Sequence, residues 1–271
     1  MWRRREYGID QRGRISYAAH VMRTSNPTLN DSVFERSRTG LAADGVMTLN
    51  GTVIKTAVLT LLLVTAASYS WKLTTNPAGV PSWFGPALTF GWIVPMILAL
   101  IIGFKPTTAP ALAPLYAIVK GLIVGVISAF FETKFPGIVL TAVMLTCGVL
   151  AALLAAYASG LVKPSENFKL GIVAATGGVA LFYLVSWALS VFFGIQVPGM
   201  FGNGWFSIAF SGFVVVLAAL NLVLDFDFIE NGCAAGAPKF MEWYVGFGLL
   251  VTLVWLYLEI LRLLAKLRSR D

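Results

Sequence analysis

Long stretches of this chain carry no charge, and that limits the fold more than any motif does. Lys72 is the only charged residue between Lys55 and Lys105, and comparable gaps recur almost to the end. Runs of that length and character cross about 30 Å of hydrocarbon as helices of roughly 20 residues. Only 12% of the 271 residues are charged and 58% are hydrophobic. A soluble domain carries about a quarter charged residues. One core cannot hide so much apolar surface, so the bilayer is the solvent for most of it. Transmembrane strands would alternate apolar and polar positions, whereas these runs are continuous, so the spans are read as helices.

Seven apolar blocks are separated by joins rich in Gly and Pro: about Thr52 to Ser70, Phe84 to Phe104, Pro110 to Phe131, Ile138 to Gly160, Leu170 to Phe193, Trp205 to Ile229 and Met241 to Leu264. The joins include ETKFPG, LVKPSENFK, GIQVPGMFGNG and ENGCAAGAPK, which break helices. Gly121 with Gly125 and Ala151 with Ala155 fall at the spacing that allows close helix approach. The expected architecture is an all-α integral membrane domain over residues 51–271, preceded by a basic, largely unstructured arm over residues 1–50.

The arm holds Arg3, Arg4, Arg5, Arg12, Arg14, Arg23, Arg36 and Arg38. It lacks the short apolar region and cleavage site of a signal peptide, and no nucleic-acid motif accompanies it. It is read as an orienting segment that touches anionic lipid, with no nucleic-acid partner. If the amino terminus is cytoplasmic, these arginines share a face with Lys55, Lys105, Lys163, Lys169 and Lys239. The positive-inside rule favours that orientation. With seven spans the basic carboxyl end then lies outside, against the same rule.

Cys147, Cys233 and the single histidine, His20, cannot assemble a Cys/His zinc site, a disulfide framework or a Ser-His triad from one chain. The chain is therefore not expected to be an enzyme. An aspartyl hydrolase is the one easy exception, and Asp225 and Asp227 point about 200° apart on a regular helix.

The acids that remain inside the membrane part carry the functional signal, because an intramembrane ionisable group is costly. Asp225, Asp227, Glu230, Glu242 and Glu259 surround the last two blocks. Asp225 shares a face with Asn221 and is the better candidate for burial, while Asp227 shares one with Glu230. In an antiparallel hairpin Glu242 comes near the depth of Asp225 and Asp227. Glu259 lies about 25 Å further along, where Arg262 and Lys266 offer local salt bridges. Paired carboxylates in low dielectric share a proton or bind a cation, so Asp225, Asp227, Glu242 and Glu259 are candidate pH-sensing or ion-binding residues. Oxygen ligands suit Ca²⁺, for which Asp225, Glu242 and Glu259 are candidate ligands, but H⁺ fits equally well. Lys120, the one charge placed mid-span, is a candidate basic latch, whereas Lys105 at a helix end reads as snorkelling. Glu132 and Glu166 are read as solvated loop residues.

RTSNPTLND in the arm, APLYAIVKGLIVGVISAFFETKFPGIVLTAVMLT, LNLVLDFDFIENG and the closing APKFMEWYVGFGLLVTLVWLYLEILRLL carry a resemblance across residues 22–268. They resemble the Bax inhibitor-1, or transmembrane Bax inhibitor motif, family in its long bacterial form. The resemblance implies a seven-helix bundle with the last helix central. It also implies a pH-sensitive calcium leak controlled by an aspartate pair on the sixth and seventh helices. Asp225 matches the first aspartate. The family's leucine-aspartate motif falls on Leu258-Glu259, although the interval from Asp225 is about ten residues too long, so Glu242 and Glu259 both stand as partners. The same resemblance alone makes Lys105 a candidate basic latch, and it makes Met22 a candidate true start.

The function expected on these grounds is a pH-sensitive calcium channel or transporter of the bacterial inner membrane, multi-pass, with Ca²⁺ and H⁺ as its ions and no bound cofactor. A proton-coupled secondary transporter and a non-transporting regulator of another membrane protein are the alternatives.

Overall fold

The computed structural model describes residues 45–76, 91, 93–162, 164–195 and 204–270. The arm before residue 45, the candidate start at Met22 and residues 84–90 of the second apolar block lie outside the described residues. Among the described residues seven α-helices follow one another, with no strand. They are α1 (Leu49–Thr74), α2 (Ile93–Phe104), α3 (Ala109–Lys134), α4 (Ile138–Ala158), α5 (Glu166–Phe193), α6 (Trp205–Ala234) and α7 (Met241–Arg268), with a 3-10 turn at Pro106–Thr108 between α2 and α3. Six of them are long and apolar enough to cross a membrane. The other, α2, is described over 12 apolar residues, and residue 91 just before it is helical as well.

Helix boundaries follow local chemistry. Ser165 caps α5 by accepting the Phe168 N–H at 3.3 Å. Glu132, expected to be a solvated loop residue, instead caps α4: its carboxylate accepts the N–H of Gly137 at 2.6 Å and of Val139 at 3.0 Å. Gly137 turns the chain there with φ 82, a conformation that side chains disfavour.

The tightest packing joins α1 to α3, and the glycine pair explains it. A Cβ on Gly121 would collide with the Leu63 carbonyl, and one on Gly125 with the Ala67 carbonyl and the Ser70 hydroxyl. Gly121 and Gly125 therefore make the expected close approach. Ala151 and Ala155 do not: both are exposed on α4, so that spacing marks a face turned outward.

Helix α7 packs against α1, α3, α4 and α6. The main hydrophobic cluster runs along it through Tyr244, Phe247, Leu250, Leu256 and Leu261. Helix α5 is attached differently, by one seam of seven-residue period. Ile172, Val179 and Ser186 are buried. Lys169, Thr176 and Tyr183, at the alternate positions, each form a polar tie to α6 or α7. The rest of α5 exposes Leu181, Leu184, Trp187 and Val191. Apolar side chains turned outward along most of a helix suit lipid, not water.

Candidate functional site: the acids of the last two helices

Helix α6 continues to Ala234 and α7 begins at Met241. This length sets the depth of every acid. Asp225 lies nine residues before the end of α6, about 14 Å in, while Glu242 lies one residue into α7, about 1.5 Å in. The two are therefore separated by about 12 Å along the hairpin, and Glu259 lies about 13 Å beyond Asp225 in the other direction. Side chains of this size cannot bridge such gaps. Among the described residues no group of three His, Cys, Asp or Glu side chains is placed to hold a metal ion. Asp225, Glu242 and Glu259 are thus not gathered into one calcium cage, and the expectation that Glu242 shares the depth of Asp225 is corrected.

Asp225 is wholly buried, with both carboxylate oxygens sealed from solvent. It lies on the stripe of buried α6 residues that includes Ser211, Ala218, Leu222 and Ile229, spaced three, four or seven apart as one helix face requires. Ser211 on this stripe accepts a hydrogen bond from Lys266 of α7 at 2.8 Å, so the stripe faces α7. At the depth of Asp225, α7 carries the buried residues Gly248, Leu250 and Thr252. Asn221 turns towards α5 and donates to the Thr176 hydroxyl at 2.9 Å and to the Leu217 carbonyl at 2.8 Å.

Asp227 faces elsewhere, as its offset from Asp225 demands. Lys169 of α5 pairs with it at 2.6 Å and with Glu166 at 3.2 Å, and Asn231 donates to it at 2.9 Å. Glu166, expected to be solvated, is exposed at 44% and also pairs with Lys169. Glu230 accepts the Tyr157 hydroxyl of α4 at 2.5 Å. Asp227 and Glu230 therefore tie α6 to two different helices.

Glu242 is 1% exposed. Its Oε1 accepts the Thr48 N–H at 3.0 Å, the Thr48 hydroxyl at 2.8 Å and Lys239 Nζ at 2.7 Å. Backbone bonds reinforce the contact: Met47 N–H donates to the Ala237 carbonyl and Lys239 N–H to the Gly45 carbonyl. Glu259 is 3% exposed and takes both its oxygens' bonds from Arg262 Nη1, at 2.8 and 3.0 Å. Tyr183 donates to it at 3.4 Å. Lys266, the other local partner expected for Glu259, donates to Ser211 and the Ser207 carbonyl of α6.

Lys120 sits mid-way along α3, partly buried. Lys105 is exposed at the end of α2, and no ion pair joins it to a carboxylate among the described residues. The basic partners that sequence reasoning missed are Lys169 for Asp227 and Lys239 for Glu242. Lys239 was visible as a residue three before its acid; Lys169, on a separate helix, had no comparable local signal for Asp227.

A family model described as Bax inhibitor 1 like matches residues 26–269. No curated protein and no solved structure matches the chain significantly. The match covers the seven described helices and the acids just described, and the chain is a multi-pass membrane protein that belongs to the Bax inhibitor 1 like family.

Proposed function

We propose that this protein is a pH-sensitive calcium leak of the bacterial inner membrane, with no enzymatic activity, in which Asp225 is the controlling group. The observation that carries this reading is the complete burial of Asp225 between two helices of a membrane protein. A carboxylate in such a place is charged only at a cost of several kcal/mol unless a cation meets it. H⁺ and Ca²⁺ compete for the same oxygens, so flux past Asp225 would respond to pH. A single carboxylate passes Ca²⁺ without retaining it, which suits a leak. Glu242 and Glu259 serve in this reading as fixed anchors at the two ends, bonded to Lys239 and Arg262. The last helix acts as the central element against which the others move, and the amino terminus is cytoplasmic by the distribution of basic residues.

A proton-coupled transporter is the second reading. It is favoured by the lack of a three-ligand metal group among the described residues, because a proton needs only one carboxylate.

The test is Ca²⁺ flux into proteoliposomes at neutral and mildly acidic pH. Asp225→Asn is expected to abolish the pH response, while Glu242→Gln and Glu259→Gln retain it in whatever protein folds. Flux and pH response that are both unchanged in Asp225→Asn would defeat the assignment. Folded wild-type protein without Ca²⁺ flux, but with a solute-driven proton current, would favour the transporter.

A further inference from the structure

Where α7 begins, Lys55, Pro110, Pro238, Lys239, Phe240, Glu242 and Trp243 line a recess of about 270 Å³. Its charges are arranged in depth. Glu242 forms the floor with its carboxylate sealed and its Oε1 bonded to Thr48 and Lys239. Lys239 gives one N–H to that floor, and its side chain is 43% exposed, which leaves ammonium protons towards the opening. Lys55 is held over the Trp243 ring, 5.0 Å from its centroid, with the aromatic face occupying one side of its charge. The recess is lined by two ammonium groups and one acid, and that acid is sealed and already bonded to Lys239.

The surroundings identify the source of a matching anion. The recess sits at the ends of membrane-length helices, where tryptophan and lysine mark the headgroup level. Beside it on α1, Ile54, Val58 and Leu61 form an exposed apolar stripe at spacings of four and three, with Lys55 next to Ile54 and three residues before Val58. A molecule that satisfied both features would have a phosphate at one end and acyl chains at the other. We propose that this recess binds the phosphate headgroup of an anionic phospholipid, with Lys55 and Lys239 as its cationic contacts and the outer face of α1 as the track for its chains.

The full chain, purified in detergent, is titrated with phosphatidylglycerol, phosphatidylcholine and inorganic phosphate while thermal unfolding is followed. Phosphatidylglycerol is expected to raise the unfolding temperature saturably and phosphatidylcholine to do so far less. Lys55→Gln should weaken the apparent affinity about fivefold, the worth of one basic residue near an anionic surface. Lys55→Arg should retain it, and Lys72→Gln, at the far end of α1, should leave it unchanged. Equal responses to the two lipids, or equal losses in Lys55→Gln and Lys72→Gln, would overturn the site. A shift produced by inorganic phosphate alone at the same concentration would make it a free-anion site and overturn the lipid assignment. Native mass spectrometry of wild type in an equimolar lipid mixture gives a reading that needs no variant: preferential retention of one phosphatidylglycerol supports the site, and indiscriminate retention contradicts it.

Discussion

Glu242, in the first turn of α7, accepts both the backbone N–H and the hydroxyl of Thr48, a residue 194 positions earlier. Thr48 is the N-cap of α1, and its hydroxyl also accepts the Gly51 N–H at 3.0 Å. A capping box ordinarily takes its carboxylate from the third helical residue. Here that residue is Gly51, and any Cβ on it would strike the Glu242 carboxylate. The acid that completes the cap of α1 comes from another helix.

Removing that acid should destabilise the bundle by a predictable amount. Glu242→Ala leaves the Thr48 N–H and hydroxyl without their acceptor, an expected cost of about 1–3 kcal/mol. The cost stays in that range because Lys239 can turn its exposed ammonium to water. Glu242→Gln still offers an acceptor oxygen and should lose less. Reversible unfolding in mixed micelles would rank wild type, Gln and Ala in that order; an Ala variant as stable as wild type would refute the shared cap.

Substituting Gly125 tests the approach of α1 and α3. Gly125→Ala forces a methyl against the Ala67 carbonyl, an overpacking cost of about 1–3 kcal/mol. Gly148 of α4 has open space around it, so Gly148→Ala should leave stability unchanged or slightly raised. Thermal unfolding of the two variants side by side separates packing from a general intolerance of glycine substitution.

The Lys169–Asp227 pair should behave as one unit. Lys169→Met leaves Asp227, which is only 19% exposed, short of its cation. Adding Asp227→Leu removes the stranded charge and should recover part of the loss. A double-mutant cycle on unfolding free energy is expected to give coupling of about 0.5–3 kcal/mol. Additive effects would show that α5 is held by its apolar seam alone.

Tyr257 and Ser128 join α7 to α3 through a buried hydroxyl pair 2.6 Å apart. Tyr257→Phe should cost about 0.5–1.5 kcal/mol, and Ser128→Ala a similar amount. Combining them should add little, because the second change removes a hydroxyl that has already lost its partner. A strictly additive double variant, measured by the same unfolding assay, would contradict this.

The helices were legible because lipid demands long charge-free runs and because Gly and Pro interrupt them. The expected start of the fourth block at Ile138, and of the sixth at Trp205, coincide with α4 and α6. The end of the sixth was harder to read. Composition turns polar after Ile229, yet α6 continues through Glu230 and Asn231, whose side chains find or give hydrogen bonds without leaving the helix. Those five extra residues carry Asp225 deeper and move it away from Glu242. The burial of Asp225 and its divergence from Asp227 followed from helical periodicity alone. The partner of Glu242 on α1 did not, because nothing local in a sequence points across 194 residues. The small-residue spacings show the same limit: Gly121 with Gly125 and Ala151 with Ala155 look alike until a neighbouring helix selects the glycines.

The cap on α1 also imposes an order on biosynthesis. Thr48 leaves the ribosome long before Glu242, and at about 5–20 residues per second the 194 residues between them take roughly 10–40 s to make. During that interval α1 can insert and meet α3, but its first turn lacks its acceptor from α7. Completion of the α1 cap therefore waits on delivery of α7, so a chain truncated before α7 carries an α1 whose first turn has lost the acceptor of the Thr48 N–H.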